Sequence, residues 1–118
     1  MTDPTRRHGA RRLTAVLLTT VALAVSACGT EDNATRQITM QDLQFSPREA
    51  TVAVGQSIKW RNDEDAPHNV IAATGAEPRS QTITRDGTFT FTARRAGTIE
   101  YLCSLHPGMT GTLRVSAR

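Results

Sequence analysis

From Gln37 to the C-terminus the chain is written in short alternations of apolar and polar residues, broken every few positions by turn-forming residues. The alternation is clearest in Thr88-Phe89-Thr90-Phe91-Thr92, where two phenylalanines fall on one face and three threonines on the other. The same reading predicts strands at Gln37 to Met40, Ala50 to Val54, Ser57 to Asn62, Asn69 to Ala72, Gln81 to Thr84, Thr88 to Thr92, Gly97 to Cys103 and Gly111 to Ser116. Eight short runs point to an all-β sandwich or barrel. Asp86-Gly87 signals a tight hairpin, and Gly55 and Ala96-Gly97 mark other turns. Trp60, Phe45, Phe89, Phe91, Val52, Val54, Ile58, Val70, Ile83, Ile99, Leu113 and Val115 are the expected core.

The first residues follow a different pattern. Residues 1–12 contain Arg6, Arg7, Arg11 and Arg12, and residues 13–25 are uncharged and mostly apolar. Thirteen residues are too few for a bilayer, which needs roughly 20, but suit the apolar region of a secretory signal peptide. The stretch ends in Val25-Ser26-Ala27-Cys28, which resembles a bacterial lipobox. The expected organisation is a signal peptide over 1–27, a lipidated Cys28 with a polar tether to 36, and one domain over 37–118. The protein is then exported and lipid-anchored on the outer face of a bacterial membrane. Two alternatives stay open: cleavage near Ala27 with Cys28 free or paired to Cys103, and twin-arginine export through Arg11-Arg12.

Charge changes meaning once the leader is set aside. The formal +3 belongs to the leader, because the mature chain has ten basic and ten acidic residues. Nucleic-acid binding therefore has no support. The remaining 91 residues suffice for one small domain, which a bound metal would help to stabilise.

Candidate chemistry gathers at the end of the chain, in Cys103-x2-His106-x2-Met109, with His68 upstream. A thiolate and two imidazoles form a trigonal set that suits copper, and a thioether gives the weak axial contact of an electron-transfer centre. Zinc would more usually take a fourth strong donor. Period two puts Ile99, Tyr101 and Cys103 on the core-facing side, so the thiol enters from inside the domain. Asn69 stands where it can tie the two ligand loops together by hydrogen bonds. Asp63-Glu64-Asp65 reads as a solvated turn, or as a negative rim selecting a basic partner.

Trp60-x-Asn62, Pro67-His68-Asn69-Val70, Phe91-Thr92-x4-Gly97-Thr98-x2-Tyr101-x-Cys103 and His106-Pro107-x-Met109-x-Gly111 together resemble the blue copper proteins of the cupredoxin family, in its amicyanin and plastocyanin branch. The resemblance covers essentially the whole mature domain. It implies a Greek-key β-sandwich, one copper ion cycling between Cu(II) and Cu(I), equatorial ligands His68, Cys103 and His106, and axial Met109. It implies a monomeric electron carrier rather than an enzyme, with His106 as the electron port, ringed by Leu105, Pro107 and Gly108 and meeting a redox protein. One departure stands out: Leu105 occupies the position before the loop histidine where the family usually has proline. Its backbone NH is expected to hydrogen-bond the cysteine sulfur and raise the reduction potential, so Leu105→Pro should lower it.

The rival reading is a copper carrier that delivers metal without redox cycling. Exposed Met/His-rich tracts would favour it, and the chain has none. A serine hydrolase would need a histidine to spare, and both are committed to the metal.

Overall fold

Alternation in the sequence becomes two facing sheets in the computed structural model, which describes residues 35–117. The expected leader, Cys28 and most of the tether lie outside the described residues. The strands are β1 (Arg36–Gln41), β2 (Gln44–Ser46), β3 (Glu49–Ala53), β4 (Ser57–Asn62), β5 (Ile71–Ala72), β6 (Thr88–Thr92), β7 (Gly97–Leu102) and β8 (Thr110–Ser116). One sheet runs β2-β1-β4-β6 and the other β3-β8-β7-β5. Parallel pairs β1/β4 and β3/β8 sit among antiparallel ones, because the chain repeatedly crosses from one sheet to the other. The result is a Greek-key β-sandwich.

Inward positions supply the core. Ile38 and Met40 of β1, Ile58 and Trp60 of β4, Tyr101 of β7 and Leu113 and Val115 of β8 are all buried. Tyr101 packs edge-on against both Phe45 and Trp60, with ring centroids 4.7 and 5.4 Å away. Gly111 faces Tyr101 across the β7/β8 ladder, and a Cβ there would lie 2.3 Å from the ring. The glycine is required by close approach.

Three sequence expectations differ from the structure. Gln81 to Thr84 is not a strand, and Asn69 to Ala72 shrinks to Ile71–Ala72, leaving an isolated bridge between His68 and Ile83. The ladder stops because the Ser80 hydroxyl accepts the NH of Val70, which the next rung would have used. Asp86-Gly87 does form a tight turn, closed by Gly87 NH to Thr84 C=O, but it opens no hairpin, since β6 pairs with β4. Conversely, Gln44–Ser46 is a strand that period-two reading missed: Phe45 is its only buried residue. The turn before it uses Asp42 and Leu43 at φ of 53° and 55°, without the Gly or Asn that would have flagged it.

Candidate metal centre

The site forms where the β4–β5 connection meets the β7–β8 loop. β4 ends by pointing Asn62 inward, as its period with Ile58 and Trp60 requires, and a buried polar group must find partners. Its side-chain NH2 donates to the carbonyls of Ala66 and Ile83, and its oxygen accepts the NH of Glu64. Asn62 thereby shapes the segment that ends at His68. Two backbone hydrogen bonds with Ile83 then fix His68, whose side chain is fully buried.

The β7–β8 loop is short and self-closed. Cys103 NH donates to Met109 C=O, and Met109 NH donates to His106 C=O. Cys103 and Met109 are buried, His106 is half-buried, and Leu105 is 44% exposed. Asn69 joins this loop to the His68 segment, donating to the Ser104 hydroxyl and accepting the Ser104 NH, each at 2.8 Å.

Ligand-type atoms of His68, Cys103 and His106 all lie within 4.8 Å of one another. His68 Nδ1 is 3.8 Å from Cys103 Sγ. Donors sharing one ion at about 2.0–2.3 Å in a near-trigonal array would stand roughly 3.5–4 Å apart, which the 3.8 Å between His68 Nδ1 and Cys103 Sγ matches. Among the described residues Cys103 has no disulfide partner. Each imidazole has its Nε2 engaged elsewhere: that of His68 with Glu64 Oε1 at 2.6 Å, that of His106 with the Pro67 carbonyl at 2.8 Å. With Nε2–H donated outward, each ring keeps its Nδ1 lone pair for a metal.

The acidic run differs from the solvated turn expected of it. Asp63 pairs with Arg61 and Asp65 with Arg85, while Glu64 turns inward. Partial burial pushes the Glu64 carboxyl up, but the Leu43 NH, His68 and the Asp42 NH together hold it below the usual glutamate value. Sequence reasoning quoted Asn62 without assigning it a role, and it passed over Glu64's inward role. The inward parity of Asn62 on β4 was the readable signal; nothing in the run of three acids distinguished Glu64.

Comparison with known proteins decides what such a site belongs to. Residues 33–116 match the model of the copper binding proteins of the plastocyanin/azurin family. The chain belongs to this family. Among its members, amicyanin of Paracoccus versutus is 30% identical over 80 residues, covering 64% of this chain and 61% of that protein. Chloroplastic plastocyanin of Physcomitrium patens is 31% identical over 86 residues, covering 63% and 51%. The match thus spans about three fifths of the length of the amicyanin and half that of the plastocyanin. The crystal structure of amicyanin from Paracoccus versutus superposes with a TM-score of 0.66 at 28% identity, covering 70% of this chain and 81% of that one. Such family members hold copper, and the S, N, N donor set here fits that metal.

Proposed function

We propose that the protein is a small one-electron carrier in which His68, Cys103, His106 and Met109 would hold one copper ion. The observation that carries this reading is the cluster of one buried thiol, one buried imidazole and one half-buried imidazole, with the Nε2 atoms of both rings already engaged. Copper bound there would supply Cu(II)/Cu(I) chemistry. The residues of the chain do the rest: the frame orients the rings, burial excludes water from the thiolate, and half-exposed His106 offers a route to the surface. Leu105 and Pro107 lie exposed beside it, an apolar rim suited to brief contact with a redox protein.

The leader reading supports export, with Cys28 lipidated and residues 28–36 tethering the domain to the outer face of a bacterial membrane. Incorporation of labelled fatty acid, lost in Cys28→Ser, tests the anchor. The metal reading is tested by titrating the protein with Cu(II) and following the visible spectrum. An intense thiolate-to-copper band that bleaches with ascorbate and returns with oxidant is the expected outcome. Tight copper binding with weak absorption, or irreversible bleaching, would replace the electron carrier with a delivery protein.

A further inference from the structure

Glu64 touches both a ligand-type histidine and the hairpin beside it. Its Oε1 lies 2.6 Å from His68 Nε2 and accepts the NH of Leu43 at 3.0 Å, while Oε2 accepts the NH of Asp42 at 3.0 Å. Its own NH is held by buried Asn62, so the carboxylate is aimed from a fixed backbone. Both turn residues have positive φ, and the two central NH groups of such a turn find no partner within the hairpin. Glu64 satisfies them. The other histidine has no such partner, since the Nε2 of His106 meets a neutral carbonyl.

We propose that Glu64 is the positioning residue of the metal centre: its carboxylate holds His68 as the Nε2–H tautomer, directs Nδ1 at Cys103, and biases the bound metal towards its oxidised state. This rests on the reading of His68 as a copper ligand. Two physical effects act in the same direction. Donating Nε2–H to an anion makes the opposite nitrogen a stronger donor, and a negative charge in hydrogen-bond contact with the ring favours the more positively charged metal.

Two measurements on the wild type, Glu64→Gln and Glu64→Leu test this. In the metal-free protein, nitrogen NMR of the imidazoles should show His68 as a single Nε2–H tautomer with a slowly exchanging ring proton. Glu64→Leu should lose both features. In the copper-loaded protein, Glu64→Leu should weaken Cu(II) relative to Cu(I) by at least tenfold, a rise of about 59 mV for one electron. Glu64→Gln, which keeps the size and one acceptor, should shift the potential less and in the same direction, and it serves if the leucine variant fails to fold. A wild-type tautomer and potential in both Glu64 variants would overturn the proposal. Absence of a blue band in the wild type would overturn the copper reading instead, and the metal-free NMR would still decide what Glu64 does to His68.

Discussion

The two sides of the metal centre are built differently. On one side His68 is fully buried, bridged to Ile83, and surrounded by a polar frame in which Asn62 and Glu64 satisfy six hydrogen bonds. On the other side Cys103, His106 and Met109 ride on a seven-residue loop closed by two backbone bonds of its own, with Leu105 and Pro107 in solvent. On the proposed reading, a frame of that kind would fix geometry before metal arrives, and a loop of that kind would present His106 beside an exposed apolar rim. Separating the tasks lets a small domain be both preorganised and accessible.

The contrast can be broken at the base of the loop. Gly111→Ala would drive a Cβ to 2.3 Å from a ring that is already wedged between Phe45 and Trp60. The expected cost is about 3 kcal/mol, read by denaturant unfolding of the metal-free protein, with copper affinity falling as the loop's exit strand shifts.

Alkali should attack the same place. Burial pushes the Tyr101 phenol up to about 12, the nearby Trp60 side chain offsetting this only in part. The unfolded phenol titrates near 10, so between about pH 10 and 12 the unfolded state loses a proton that the native state keeps. Stability is therefore whole below pH 10 and falls by roughly 2–3 kcal/mol as pH rises towards 12. Denaturant curves at pH 9 and 11.5 should differ by much of that amount, and Tyr101→Phe should abolish that part of the difference. Among the described residues neither the phenol nor the Trp60 indole NH finds a hydrogen-bond partner, so Tyr101→Phe should not weaken the protein at neutral pH.

Asn69→Ala would sharpen the comparison by cutting the strap between the two sides. Two hydrogen bonds to Ser104 are lost, at a cost of about 1–2 kcal/mol. Ring-proton exchange at His106 should quicken in that variant while His68 stays protected. The smallest effect belongs to the outer edge of the frame: Leu43→Gly relieves a leucine held at φ 55° and should gain about 1 kcal/mol in thermal or denaturant unfolding.

How much of this was legible in the sequence follows the same division. The loop was plain, because Cys103, His106 and Met109 are adjacent and their donor chemistry is specific. Inward parity placed Tyr101 and Cys103 correctly, and Asn69 stood next to a ligand where a strap was needed. The frame was harder to read. It is made of long-range side-chain bonds to backbone groups, such as Glu64 to the Asp42–Leu43 turn, for which local composition gives no signal. The missing strand Gln81 to Thr84 failed for the same reason, since a serine side chain ended a ladder that alternation alone would have continued. Leu105 shows the limit from the other side: its departure from the family pattern was visible, and the potential of Leu105→Pro is what would read the effect of its NH.

Crystal structures of the protein with and without copper test the central claim most directly, with the metal located by its anomalous scattering. Copper should lie between His68 Nδ1, Cys103 Sγ and His106 Nδ1, with Met109 sulfur further off, and the frame from Asn62 to Asn69 should be unchanged between the two. A metal bound through Nε2 of either histidine, or a frame that rebuilds when copper enters, would contradict it.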